Sequence, residues 1–512
     1  MVDSFNSIKF PELFVGFVAP IGADVAPIIK EFRIYFEEKK YKVIDIKVTD
    51  VFNVMKNYII PEMDLKKSPL VDRYNSYINY GNQLREHFDD NSILSKLTIQ
   101  IIVKKRIRQK YNSEFDKFQK TVYFINQFKR KEEIELFRSV YGRLFFQVSL
   151  YSRRGARVDY LSRKFASSEN SAGSNRFRYQ AEKLIQNDEN EVAKSHGQRV
   201  AKIFHDADLI INLDVELSVK RQVFRFCELL FGSNAISPTR IEYGMFLAKA
   251  AALRTLDLSR QVGAAIFSGT GEVLSLGSNE VPKALGGTYW SDEGVDDREF
   301  IRGHDSNDQR KREILVEILN IISPDCDIDK IISSKEIQDS QFMDALEYGR
   351  IVHAEMSAIS DAARVGSSIR GGTLYCTTFP CHMCAKHIVA SGVTNVIFLE
   401  PYPKSLAYDL HSDSIHIEGN DRGHYQQYPS VRFEHFYGVS PRRYREIFER
   451  NKRKNDNGSF RPYINDNPSP IIDIKIPFYT YLEESALEIL GMQFDVAKID
   501  DELDALDAEV DE

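Results

Sequence analysis

The chain has 512 residues, of which 43% are hydrophobic, 12% aromatic and 28% charged, and its formal net charge is −7. That composition fills more than one core and excludes wholesale disorder, a collagen-like chain and a disulfide scaffold, while the length suggests two to four domains. A net negative chain is also a poor candidate for stable duplex DNA binding, which draws its affinity from basic contacts to phosphate.

The N-terminal MVDSFNSIKF lacks the basic and apolar regions of a signal peptide, and no run of about 18 apolar residues follows. A cytoplasmic protein with no membrane association is therefore expected. From LFVGFVAP (13–20) onward, short β-branched and aromatic runs alternate with amphipathic helical stretches. Further strands are expected in YKVIDIKV (41–48), TVYFINQF (121–128), RLFFQVSLY (143–151) and ADLIINLD (207–214), with helices such as DVAPIIKEFRIYFEEKK between them. Alternation of this kind predicts an α/β fold with a parallel sheet covered on both faces. The polar run SSENSAGSNRF (167–177) reads as a mobile loop.

Gly16 to Asp24 (GFVAPIGAD) follows the first strand and opens a helix, where a phosphate-binding loop belongs. Gly16, Gly22, Ala23 and Asp24 are the candidate nucleotide contacts. A Walker motif needs Lys and Ser/Thr after its second glycine, and Ala23 and Asp24 stand there instead. The loop thus lacks its own cation, and Asp24 would repel a phosphate; kinase activity is not expected. Arg153, Arg154 and Arg157 form either a phosphate-gripping lid or a solvated helix face.

A second organisation starts near Ser237. A helical run (239–256) leads to two strands, QVGAAIFSG and EVLSLGSNE, and then to a polar insertion from about 286 to 340. A helix carrying HAEMSAISDAARVG follows, then the strand TLYCTTF, a helix beginning at PCHMC, and the strand NVIFLEPY. The segment 451–470 reads as an exposed linker. The last 13 residues hold eight acids and no base, so the body of the chain is nearly neutral. That tail reads as a solvated terminus. The expected domains are 1–236, with a degenerate phosphate loop, 237–450, and a C-terminal extension 451–512.

The five cysteines are too few and too odd in number for a disulfide framework, so close-spaced ones point to metal. His353-Ala354-Glu355 is followed 25 residues after Glu355 by Pro380-Cys381-His382-Met383-Cys384. H-x-E followed by P-C-x-x-C is the pattern of zinc deaminases. One imidazole (His353) and two thiolates (Cys381, Cys384) supply three tetrahedral ligands and leave the fourth position open, where zinc brings the pKa of bound water toward ~7. Glu355 lies beside the metal without being needed as a ligand and can carry protons. The proline places both cysteines at a helix start, where free N–H groups favour thiolate. The alternatives are a closed structural zinc site using His382 or His387, and a deaminase fold that has lost activity.

Residues 237–445 resemble the cytidine/deoxycytidylate deaminase superfamily, specifically its deoxycytidylate type, through SRQVGAAIF (259–267), GSNEVP (277–282), HAE, TLYCTTFPCHMC and NVIFLEPYPKS (395–405). The resemblance implies a five-stranded sheet sandwiched by helices, with zinc held between two helix N-termini. It further implies that Asn279 contacts the sugar hydroxyl, that the backbone around Thr377 and Thr378 helps to hold the base, and that Arg260 lies near the phosphate, although Arg260 also reads as an ordinary surface arginine. Lys404, Arg442 and Arg443 are further candidates for the phosphate tail.

The whole chain is similar to bacterial antiphage deoxycytidine-nucleotide deaminases, which join an N-terminal P-loop-kinase-like region to a deaminase region. FKRKEEIELFRSVYG (128–142) and FYGVSPRRY (436–444) are among the segments that carry this likeness. It implies hydrolytic deamination of dCTP and/or dCMP, depletion of the deoxycytidine pool, a homo-oligomer, and an inhibitory partner that the chain does not identify. The rival readings are a polynucleotide cytosine- or adenine-editing deaminase, which needs a basic groove and stacking platforms, and a catalytically inactive nucleotide-sensing protein.

Overall fold

In the computed structural model, residues 8–109, 117–171, 173–189, 196–215, 217–402, 405–450, 452–463 and 469–493 are described. The acidic run of the last 13 residues and Lys404 lie outside them. The chain forms two compact units, one built from Met1–Pro238 with Tyr437–Glu512 and the other from Thr239–Phe436.

The first unit holds β1 (Leu13–Val18), β2 (Lys42–Lys47), β3 (Thr121–Asn126), β4 (Phe145–Tyr151) and β5 (Leu209–Asn212), each inside a stretch expected to be a strand. They pair in parallel in the order β5-β4-β1-β3-β2. All six residues of β1 are buried, as a central strand with both faces covered requires. At the edge, β2 is largely exposed and begins and ends in lysine, a composition that discourages further pairing. Helix Ala26–Glu38 buries Ile28, Phe32, Tyr35 and Phe36, one stripe at helical spacing. The stretch 167–177, expected to be a mobile loop, begins in the last turn of helix Arg154–Ser168 and ends in a short helical turn, Ser174–Phe177. Phe177 is buried with its ring 6.4 Å from that of Phe165.

The second unit carries β6 (Gly263–Phe267), β7 (Val273–Ser278), β8 (Thr373–Thr378), β9 (Asn395–Glu400), β10 (Ile415–Ile417) and β11 (Val431–His435). The sheet order is β10-β11-β9-β8-β6-β7, antiparallel across β7-β6-β8 and parallel from β8 to β10. This sheet has six strands where five were expected, because Ile415–Ile417 adds a parallel edge to β11. Gly263 and Gly277 are out of phase in the β6–β7 register, so they face opposite sides of the sheet. A Cβ on Gly263 would meet the Ala248 carbonyl at 1.9 Å, and one on Gly277 the Ala354 carbonyl at 2.1 Å. Each glycine therefore seats one helix directly on the sheet: Arg240–Ala252 on one face, Ala354–Val365 on the other. The expected polar insertion contains helix Ser306–Ile322.

After Phe436 the chain returns to the first unit. β12 (Gly438–Val439) pairs antiparallel with β5, so 437–450, assigned above to the deaminase stretch, lies with the first unit. Helix Tyr479–Gln493 of the C-terminal extension also belongs to that core, where it buries Tyr479, Ala486 and Leu490. Its anchor is a buried ion cluster. Arg106 donates Nε to Glu12 at 2.9 Å and its two terminal nitrogens to Glu483 at 2.7 and 3.0 Å, while the hydroxyls of Tyr123 and Tyr479 donate to Glu12. Burial pushes the Glu12 carboxyl above the usual carboxylate range despite Arg106 beside it. Among the described residues no helix is long and apolar enough to cross a membrane.

Removing one partner of such a cluster leaves a buried charge uncompensated. Glu483→Ala is expected to lower unfolding stability by about 3–5 kcal/mol, read from urea denaturation of the full chain.

Candidate metal centre

The metal ligands are placed by two helix starts. His353 is the N-cap of helix Ala354–Val365, and Cys381 is the N-cap of helix His382–Ser391, its Sγ accepting the Cys384 N–H at 3.4 Å. Pro380 thus stands just outside the helix rather than in its first turn. His353 Nδ1 lies 3.3 Å from Cys381 Sγ and 3.4 Å from Cys384 Sγ, and the three donor atoms fall within 4.8 Å of one another. A tetrahedral ion with Zn–S near 2.3 Å and Zn–N near 2.0 Å holds N and S about 3.5 Å apart. Donor set and spacing both fit zinc.

Electrostatics agree with that donor chemistry. Hydrogen bonding from Cys384, together with His353, pulls the Cys381 thiol down to about 4, and hydrogen bonding to Cys381 pushes His353 up to about 9. The Cys381 sulfur and burial raise Cys384. Protons shared among these three groups are what a divalent cation displaces when it binds. Glu355 is buried in the first turn of its helix, with Oε2 3.5 Å from Cys384 Sγ, and burial raises its carboxyl.

The expected substrate residues are mostly engaged within the protein. Asn279 Oδ1 accepts the Val262 N–H at 2.8 Å, and its amide nitrogen donates to Asp257 and to the Arg260 carbonyl. Thr377 Oγ1 accepts the Gly263 N–H at 3.0 Å, tying β8 to β6, and Thr378 Oγ1 stands 3.5 Å from Glu400. Arg260 pairs with Glu400 at 3.3 Å, its guanidinium 5.3 Å from the Tyr402 ring centroid. A cavity beside His353 is lined instead by residues that sequence reasoning missed, among them Asp257, Glu299, Asp305 and Arg350. Asp257 is fixed by Asn279 and by the backbone and hydroxyl of Ser259, and Arg350 by Asp297. The available signals were modest: Asp257 lies three residues before Arg260 and Arg350 three before His353.

The remaining candidates have other partners. Arg442 and Arg443 are bonded inside the first unit, to Asp206 and Asp208. In the N-terminal loop, Gly16 sits within β1, where a Cβ would come 2.4 Å from the Phe128 ring; it makes room for aromatic packing and is not a loop residue. Gly22 turns the chain at φ +90°, the Ala23 N–H donates to the Pro20 carbonyl, and Asp24 accepts the Ala26 N–H.

Residues 238–400 match the family model described as "Cytidine and deoxycytidylate deaminase zinc-binding region". Deoxycytidylate deaminase of Enterobacteria phage T4 is 50% identical over 54 residues, 10% of this chain and 28% of that protein. The human deoxycytidylate deaminase is 23% identical over 158 residues, 31% of this chain and 63% of its own. Among solved structures, a dCMP deaminase from cyanophage S-TIM5 in complex with dCMP and dUMP matches 39% of this chain and 98% of its own, at 19% identity and a TM-score of 0.23. The matched region is thus similar to the zinc-binding region of the cytidine and deoxycytidylate deaminases. The chain spans less than a third of the length of the phage relatives it matches.

The purified protein is expected to hold one zinc per chain by elemental analysis. Cys384→Ala should weaken zinc affinity by more than about 100-fold, beyond what loss of an outer-shell partner costs.

Proposed function

We propose that the chain hydrolyses the exocyclic amine of a deoxycytidine nucleotide, consuming water and releasing ammonia and the deoxyuridine nucleotide. What carries this reading is the convergence of His353, Cys381 and Cys384 with the buried Glu355, inside the stretch that matches the deaminase model. His353, Cys381 and Cys384 are the zinc ligands. Bound zinc supplies a Lewis acid that makes water ionisable near neutral pH. Glu355 is the proton carrier: its carboxylate takes a proton from the attacking water, passes it to the ring nitrogen, and returns one to the departing amine. Burial raises the Glu355 carboxyl above the usual carboxylate range, which favours its taking up the proton that it later hands on.

Asp257 faces the cavity beside His353 while Asn279 holds it, so Asp257 is the acceptor offered to a sugar hydroxyl and Asn279 acts through it. Depletion of the deoxycytidine nucleotide pool, the antiphage role that the family resemblance implies, follows from this chemistry when the enzyme is active during infection.

Ammonia release from dCMP, dCTP and a cytosine-containing single-stranded oligonucleotide, assayed side by side, tests the substrate. Turnover of one or both free nucleotides is expected; conversion of the oligonucleotide alone refutes the proposal. Glu355→Ala should keep its zinc and lose about 10²–10⁴-fold in kcat. Retained turnover in that variant would remove Glu355 from the reaction.

A further inference from the structure

The first unit's sheet has a switch point at β1, flanked by β3 on one side and β4 on the other. In open parallel sheets, ligands bind outside the carboxyl ends of strands at such a point. The loop after β1 lies there, and it does not lack a cation. Lys129, three residues beyond β3, brings Nζ to 3.1 Å from the Ala19 carbonyl. This corrects the expectation of a loop with no positive charge, which followed from reading residues 16–24 alone.

An anion is already in place. Asp188, fully buried near the end of helix Arg178–Glu189, accepts the Ile21 N–H at 2.6 Å through one carboxylate oxygen and Lys129 Nζ at 2.6 Å through the other. The next residue, Glu189, accepts from Arg157 Nη2 at 2.5 Å. Arg157 also packs its backbone against Gly22 and donates Nε to the Ser152 carbonyl. Its Nη1 is buried with no hydrogen-bond partner among the described residues. Two consecutive acids from one helix thus hold the two cations associated with the loop. Ala19 N–H is taken by the Gln127 side chain at 3.2 Å.

A backbone N–H and an ammonium converging on two oxygens of one buried carboxylate is the arrangement with which strand-to-helix loops grip phosphate. We propose that the loop 19–24 is a phosphate-type site whose anion is built in: the Asp188 carboxylate occupies the phosphate position and keeps the N-terminal unit closed to nucleotide polyphosphates. The site becomes available to a phosphate-bearing ligand when that carboxylate is withdrawn. Because Asp188 is buried and ion-paired, dissolved phosphate competes with a group tethered at high effective concentration.

The test uses the full chain, with inorganic pyrophosphate as the probe and chloride at matched ionic strength as the control. The wild-type unfolding midpoint should not respond to pyrophosphate. Asp188→Ala, and separately Asp188→Ser, should show a saturable rise of several degrees, since a ligand that binds the folded state stabilises it by mass action. Adding Lys129→Met to either variant should abolish the rise. If removal of the carboxylate prevents folding, pyrophosphate during refolding should restore native circular dichroism. A response in the wild type that depends on Lys129 would overturn the proposal. So would folded Asp188 variants that ignore pyrophosphate, or unfolded ones that it fails to rescue.

Discussion

The deaminase-like unit depends on the meeting of two helix starts, one capped by His353 and the other by Cys381. Neither helix supplies a metal site alone. Convergence requires the His353 helix to lie close on the sheet, and Gly277 permits this by leaving no Cβ where the Ala354 carbonyl passes. Once the helices are seated, the N-cap position turns each donor toward the other, and the first-turn N–H of Cys384 stabilises the Cys381 sulfur. Glu355 then follows from helix geometry, because two residues beyond the N-cap it is carried into the same buried first turn.

The two units handle buried charge differently. Around His353 the carboxylates of Asp257 and Glu299 line a cavity and are held there by Ser259, Asn279 and Ser306. In the N-terminal unit, charges close on one another. Arg106 is shared by Glu12 and Glu483, and Lys129 is held by Asp188, with every carboxylate involved almost fully buried. The first arrangement suits recognition, the second cohesion.

Much of the fold was legible in the residues. Buried parallel strands need unbroken runs such as LFVGFV and TVYFIN, and those runs stand out against amphipathic helices. The metal ligands were legible because helix starts fix their spacing, so His353, Cys381 and Cys384 carry a local pattern. Asn279 was legible through the resemblance as the Asn of GSNEVP, whereas its hydrogen bonds to Val262, Asp257 and the Arg260 carbonyl were not. The strand Ile415–Ile417 is too short for alternation to reveal it. The C-terminal helix looked like an appendage because its anchor, Glu483, meets an arginine 377 residues away.

By itself, then, the sequence determined the chemical donors: which side chains can bind a metal, which carboxylate stands beside them, and which runs must be buried. These follow from residue type and from spacing within one or two turns of helix. Only the tertiary structure decided which polar groups close on one another. Lys129 and Asp188 are 59 positions apart, and Asp257 reaches Asn279 across 22. Such pairs leave no periodic trace, because their partners are set by strand order and helix seating rather than by neighbours in the chain.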